Sequence, residues 1–207
     1  MTRRRSSSRS RQRPASRSTQ GSGRLRIIGG EFRRRLLPVL DSPGLRPTPD
    51  RVRETLFNWL AAATPGARVL DLFAGTGALG LEALSRGAAG AHFVERDGHV
   101  ARALIENLQT LGASERARVD IADALAFLAA GPGNDEDVTL AFLDPPFRQN
   151  LAEPCCARLE QGWLADDAFI YLETESELAP CVPPTWSLHR EVRAGDSTGR
   201  LYRRLAP

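Results

Sequence analysis

The segment Val69-Leu70-Asp71-Leu72-Phe73-Ala74-Gly75-Thr76-Gly77-Ala78-Leu79-Gly80 decides the fold. Ala67–Leu72 reads as a short, mostly apolar strand and Ala78–Arg86 as a helix. Between them stands a literal G-x-G-x-x-G at positions 75, 77 and 80. Glu95 follows Gly75 by 20 residues and ends the next apolar run, Ala91–Glu95. A glycine loop between strand and helix, with an acid closing the next strand, is the pattern of a nucleotide-type cofactor site in an α/β sheet. Glycine at 75 and 77 lets the backbone pass close under a ligand, because no Cβ intrudes.

Two cofactors share this pattern. In dinucleotide proteins the first glycine follows the strand almost at once, and backbone amides meet a pyrophosphate. Here Asp71 sits near the strand end and Leu72-Phe73-Ala74 intervene. A carboxylate there repels pyrophosphate and suits a ligand carrying an ammonium, such as the methionine end of S-adenosylmethionine. Glu95 can accept from the ribose hydroxyls of either cofactor. Asp123-Ala124, past the third strand, can meet an adenine. Asp71 and Asp123 also have a plainer reading, as caps of the helices that follow. For Asp123 the two readings stand even. For Asp71 the company of Gly75, Gly77 and Glu95 favours binding.

Outward from this loop the chain alternates strands and helices. Gly98–Leu111 is expected as a helix, Ala117–Ile121 as a strand, Ala122–Ala129 as a helix and Val138–Leu143 as a strand. Leu151–Leu164 reads as a helix and Ala168–Glu173 as a strand, and Trp186–Arg193 with Arg200–Leu205 as a closing antiparallel pair. The fold class is therefore α/β: a Rossmann-like, mostly parallel seven-stranded sheet with helices on both faces. Ahead of it, Arg24–Ile28 and Glu31–Leu37 read as a β-hairpin around Gly29-Gly30, with Arg33 and Arg35 on one face of its second arm. Thr48-Pro49-Asp50 reads as cap, first-turn proline and first-turn acid of a helix running to about Ala63, with Val52, Leu56, Trp59 and Leu60 on its apolar face.

Asp144-Pro145-Pro146-Phe147 follows the strand Val138–Leu143, at the sheet edge where α/β proteins bind ligands. Two prolines stiffen the backbone and remove two donors, which leaves a surface of acceptors. Such a surface suits the exocyclic amine of a nucleic-acid base. The Asp144 side chain and the Pro145 carbonyl each accept one N–H, and the nitrogen lone pair is turned toward a sulfonium methyl. Phe147 offers a ring on which an extruded base stacks. The catalytic demand is alignment more than base chemistry. Alone the tetrapeptide reads as a turn after a strand; downstream of the glycine loop it reads as a catalytic element.

Composition bounds what else the chain can be. Its 207 residues suit one α/β domain, expected over 24–207, with 24–45 as hairpin and loop extension. No apolar run reaches the roughly 20 residues of a membrane span, and the N-terminus has no apolar signal region. Eight of the 28 basic residues, all arginine, fall in residues 1–24, which contain no acid. The other twenty face all 25 acids, so the net charge of +3 belongs to the tail and any basic surface on the body is local. Residues 1–23, rich in Ser and Arg, are expected to be disordered, a solvated tail with loose phosphate affinity. Cys155, Cys156 and Cys181 form no metal or redox motif, and no metal is expected. A cytoplasmic monomer is expected.

Gly75 and Gly77 together with the D-P-P-F loop resemble the Rossmann-like amino-group methyltransferases. More narrowly, Arg26-Ile27-Ile28-Gly29-Gly30, the run from Arg46 to Asn58, Asp71–Ser85, Asp144–Phe147 and Ser187–Glu191 resemble the bacterial small-subunit ribosomal RNA guanine-N2 methyltransferase D family. The likeness covers about 24–205 in order, and the 46–58 run is its most specific part. It implies methylation of one guanine at N2 in 16S rRNA, in the head of the small subunit, assembled or partly assembled. It implies that Asp71, Phe73, Ala74, Gly75, Thr76, Gly77, Glu95, Asp123 and Ala124 hold S-adenosylmethionine and that Asp144, Pro145, Pro146 and Phe147 hold the base. Arg33, Arg35, Arg51 and Arg53 become candidates for RNA phosphate, with Arg51 or Arg53 alternatively meeting the cofactor carboxylate. The Arg/Ser tail and the triple arginine at 33–35 depart from the family pattern. Two other readings stay open: an amino-methyltransferase of adenine N6 or of a glutamine amide, and a non-catalytic RNA-binding assembly factor on the same fold.

Overall fold

A computed structural model describes residues 23–40, 48–133 and 137–205. The expected tail and the Arg46-Pro47 part of the 46–58 run lie outside the described residues.

Seven strands form one sheet: β3 (Arg68–Asp71), β4 (Gly90–Glu95), β5 (Ala117–Ile121), β6 (Val138–Leu143), β7 (Leu164–Glu175), β8 (Trp186–Ala194) and β9 (Ser197–Arg204). Their order is β5-β4-β3-β6-β7-β9-β8, parallel from β5 to β7, with β9 antiparallel to both its neighbours. The chain leaves β3 toward β4 and β5, then returns to lay β6 and β7 on the other side. The resulting switch point lies between β3 and β6, where such sheets open a crevice at the strand carboxyl ends. Asp71 ends β3 and Asp144 follows β6. Helices α1 (Asp50–Trp59), α2 (Ala78–Ser85) and α3 (Gly98–Leu111) cover one face, packing Leu56, Phe57, Leu81 and Leu104 on Val69 and Phe142. On the other face α4 (Ala124–Ala129) and α5 (Ala152–Leu159) pack Leu128, Cys155, Cys156 and Leu159 against Leu70, Ala141 and Ile170. Every expected strand of the sheet is present. β7 is longer than expected because it already begins at Leu164, opposite Val138; Asp166-Asp167 fall in an irregularity before the pairing resumes at Phe169.

The N-terminal hairpin is real but shorter than expected. Strands β1 (Arg24–Arg26) and β2 (Leu36–Pro38) pair with Arg24 opposite Pro38 and Arg26 opposite Leu36. Residues 29–35 form bends and a turn over 31–34, not a strand arm, because α2 takes the amides of Gly29, Glu31 and Phe32. The Glu31 amide donates to the Ser85 carbonyl at 2.6 Å and the Phe32 amide to Ser85 Oγ at 2.9 Å. Gly30, at φ +74°, lies so close that a Cβ would stand 1.8 Å from the Ser85 carbonyl oxygen. Arg33 and Arg35 are exposed on this turn and do not share a strand face, since Arg34 between them takes φ 69°.

α1 begins at Asp50, with Pro49 in the cap position and no side-chain cap, so Thr48 is not the expected cap. The helix ends at Trp59, and turns continue the chain to Ala63. Hairpin, α1 and α2 are joined by one buried polar cluster. Glu82, 0% exposed, accepts from the Ile28 amide at 2.9 Å, the Gly29 amide at 2.8 Å and Arg86 Nε at 2.7 Å. Arg53, 1% exposed, lies 3.6 Å from Glu82 and donates to Asp50 Oδ1 at 2.6 Å and the Arg26 carbonyl at 2.9 Å.

Candidate functional site

A cavity of about 330 Å³ opens at the β3/β6 switch point. Phe73, Ala74, Gly75 and Thr76 line one wall, Glu95, Asp123 and Ala124 another, and Asp144 and Pro146 a third. The strands bring these residues together because each follows, or ends, a strand carboxyl terminus. Gly75, at φ 51°, turns the chain as an L side chain resists doing. Its amide donates to Glu95 Oε2 at 2.8 Å, and Glu95 Oε1 accepts from the Asp97 amide at 2.8 Å, so one carboxylate sets the loop's position.

Gly77 behaves differently from expectation. It does not line the cavity; at φ 75° a Cβ would meet Leu104 Cδ1 at 2.4 Å, inside the core. The glycine at 77 serves the left-handed turn and the packing of Leu104. Asp71 meets both the first turn of α2 and the cavity. Its Oδ2 accepts from the Gly80 amide at 3.0 Å, in the first turn of α2, and its carboxyl also lines the cavity. Burial, opposed by that amide and reinforced by the charge of Glu95, pushes the Asp71 carboxyl up to about 7. Asp123 caps α4 by accepting from the Ala126 amide at 3.0 Å and lines the cavity as well.

Five carboxylates line this cavity (Asp71, Glu95, Asp97, Asp123 and Asp144), against one arginine, Arg96. Such a lining disfavours a pyrophosphate and favours a cation, as S-adenosylmethionine is at its sulfonium and ammonium. Asp144 is partly exposed at the cavity's edge. Burial, then the nearby charges of Glu173 and Asp71, pushes its carboxyl well above the usual carboxylate range. Pro145 is buried and Phe147 is 42% exposed, so the ring stands free beyond the cavity. The loop then turns through Arg148 at φ 61° and Asn150 at φ 55°, two non-glycine residues in the left-handed region. The Arg148 amide donates to Glu175 and ties the loop to β7. A cofactor well, an acceptor at its edge and a free ring outside suit alkyl transfer to an amine on a flat ring.

Residues 25–203 match the family described as conserved hypothetical protein 95. Over 188 residues the chain is 57% identical to ribosomal RNA small subunit methyltransferase D of Escherichia coli (strain K12), spanning 90% of this chain and 93% of that relative. The chain belongs to the ribosomal RNA small subunit methyltransferase D family. The Haemophilus influenzae protein of that name is 49% identical over 182 residues, 87% of this chain and 94% of the relative. The solved structure of the Escherichia coli protein yhhF superposes with a TM-score of 0.82 at 53% identity, covering 89% of this chain and all of that one. As a member of the methyltransferase D family the chain is an enzyme, a methyltransferase.

Of the four arginines singled out for RNA, Arg53 is corrected. It is buried among Asp50, Glu82 and the Arg26 carbonyl and presents nothing to a phosphate. Arg51 is exposed at the start of α1. Arg33 and Arg35 are exposed at the far end of α2 from the glycine loop, roughly 12 Å away along an eight-residue helix. Sequence reasoning missed Thr48 as a site residue. It is 7% exposed, makes no cap hydrogen bond and lines the cavity beside the first amides of α1. The sequence carried no separate signal for it, because Thr48 ahead of Pro49-Asp50 reads as the helix cap.

Proposed function

We propose that this methyltransferase carries the methyl group of S-adenosylmethionine to the exocyclic N2 of one guanine in 16S rRNA of the small ribosomal subunit or its assembly intermediate. The observation that carries this is the acid-lined well at the β3/β6 switch point with Asp144-Pro145-Pro146-Phe147 at its mouth. S-adenosylmethionine supplies an electrophilic methyl group when bound. The chain's own residues do the rest. Asp71 faces the ammonium, Glu95 the ribose and Asp123 with Ala124 the adenine. The Thr48 hydroxyl and the open amides at the start of α1 offer donors to the cofactor carboxylate. Asp144 and the Pro145 carbonyl hold the amine, and the Phe147 ring stacks the flipped base. Arg51 is well placed for a phosphate near the site. The names of the relatives support ribosomal RNA as substrate, and no described helix is long and apolar enough to cross a membrane. Labelled S-adenosylmethionine given to small subunits that lack the modification tests the substrate class: label in the RNA fraction is expected, and label in protein contradicts the reading.

Two further outcomes follow from the cofactor assignment. Because the Asp71 carboxyl is raised to about 7, the folded protein holds a proton there that an unfolded chain releases near its ordinary value of 3.8. Its ionisation therefore destabilises the fold as pH rises toward 7, and a docking cation favours that ionisation. Affinity for S-adenosylmethionine should then rise as pH climbs toward about 7, by up to about tenfold per unit and with proton release, and level off above it. Calorimetry in buffers of different ionisation heat reads both; a flat affinity without proton release contradicts the role of Asp71. Separately, Thr48→Val should weaken cofactor binding about 3- to 10-fold, the worth of one ordinary hydrogen bond, while leaving thermal stability unchanged.

The tail carries the remaining expectation. With eight arginines and no acid in residues 1–24, it adds affinity through counterion release but no base selection. A chain beginning at Gly23 should methylate the same nucleotide, bind RNA more weakly at low salt and show a shallower slope of log affinity against log salt. A changed target nucleotide, or an unchanged slope, rules this out.

A further inference from the structure

Glu173 is an acid for which neither the glycine loop nor the D-P-P-F loop accounts. β6 and β7 run parallel with Leu143 opposite Leu172, so one step further on Asp144 and Glu173 stand side by side at adjacent strand ends. Adjacent strands lie about 4.8 Å apart, and residues in register point to the same face. Phe142 and Tyr171, two residues earlier on each strand, both pack into the core on the α1 face, so Asp144 and Glu173 share that face.

Glu173 is 6% exposed and has no arginine in ion-pair range among the described residues, in a chain with 28. A buried carboxylate without a cation is unfavourable, and natural cores avoid it unless it serves a task. Here it is also held in place. The Tyr171 hydroxyl, itself fully buried, donates to Glu173 Oε2 at 3.0 Å. Gly199 stands opposite Glu173 on β9, and a Cβ there would lie 2.1 Å from the Tyr171 hydroxyl oxygen. Tyrosine, acid and glycine on two strands thus fix one carboxylate oxygen. The other, Oε1, has no hydrogen-bond partner among the described residues. The result is a positioned acceptor next to the residue that holds the amine.

The Watson–Crick edge of guanine presents two neighbouring kinds of donor, N1–H and the N2 amine. We propose that Glu173 selects guanine by accepting the N1–H of the target base, beside the amine held by Asp144. This rests on the guanine-N2 reading above. Adenine, by contrast, presents a lone pair at N1, which a carboxylate repels. Sites built around a polar edge reject bases that lack it far more strongly than apolar pockets reject a change of shape.

The test replaces the target guanosine in small-subunit RNA by 2-aminopurine. That base keeps an amine at C2 but carries a bare acceptor at N1. The wild-type enzyme is expected to prefer guanine by at least about 100-fold in kcat/KM. Glu173→Gln, whose amide can donate to the bare N1, should lose about 10- to 100-fold on guanine and narrow the preference by a similar factor. Its affinity for S-adenosylmethionine, measured by calorimetry, should stay within about threefold of wild type. A variant that loses activity equally on both bases overturns the inference, because that is what a purely structural role produces. So does a wild-type enzyme that methylates both bases alike, a result that needs no variant to fold. A wild-type enzyme that transfers methyl to neither base overturns the guanine-N2 reading along with this inference.

Discussion

Asp144→Ala is expected to bind S-adenosylmethionine within a few fold of wild type and to transfer its methyl group about 30- to 1000-fold more slowly. The size follows from deleting one oriented hydrogen-bond acceptor at the reacting atom, worth about 2–4 kcal/mol. The effect should appear in kcat more than in KM, because alignment of the amine matters chiefly in the transition state. Stability should move the other way, or not at all. Burial and the charges of Glu173 and Asp71 already disfavour the ionised Asp144 in the folded protein. An acid whose folded pKa is raised weakens the fold as pH climbs from its ordinary value to the raised one, so its removal lifts that burden at neutral and higher pH. Single-turnover transfer rates with thermal melts check both halves. Near wild-type turnover, or inactivity explained by a large fall in melting temperature, contradicts the assigned role.

Glu82→Ala is expected to destabilise the protein by about 3–5 kcal/mol, the cost of breaking a buried charged cluster and leaving its partners behind. Three donors lose their acceptor at once: the Ile28 and Gly29 amides and Arg86 Nε. Arg53, already buried with Nε and one terminal nitrogen lacking hydrogen-bond partners, loses the nearest charge to those atoms. For a chain of this size that lowers the melting temperature by on the order of 10 °C. The damage should begin in the hairpin, so amides of residues 25–39 should exchange faster than those of β3 and β6. Urea denaturation measures the total; a change below about 1 kcal/mol contradicts the central place given to Glu82.

The parallel sheet, its switch point and the two loops that meet there were legible because each leaves a local trace. Strand and helix periods alternate through 67–143, and the glycine loop and D-P-P-F mark two carboxyl ends. The packing duty of Gly77 was not legible, because a glycine fingerprint does not say which side of the loop a Cβ would occupy; only the structure shows that at 77 it would strike Leu104. Arg53 was misread for a related reason. One residue past Val52, it falls on the same buried stripe as Phe57 and Leu60, but an arginine there reads as solvent-facing until its partner is known. The partner, Glu82, is 29 residues away. Its signal was present in another form: a lone acid within the apolar run Ala78–Leu84 must find a cation or several amides. The hairpin arms were overextended because Glu31–Leu37 has no feature announcing that Ser85 will take its amides. Glu173 read as the polar end of a strand, and only the register with β6 sets it beside Asp144.

The central claim is that the acid-lined well delivers a methyl group to the N2 of guanine. Nucleoside analysis by mass spectrometry tests it most directly. Small subunits lacking the modification are incubated with this enzyme and S-adenosylmethionine carrying a heavy methyl group, and their 16S rRNA is digested to nucleosides. The expected result is one heavy N2-methylguanosine per RNA, absent when Asp144→Ala replaces the wild-type enzyme under the same brief incubation. Heavy methyl on adenine N6, or no heavy nucleoside at all, would contradict it.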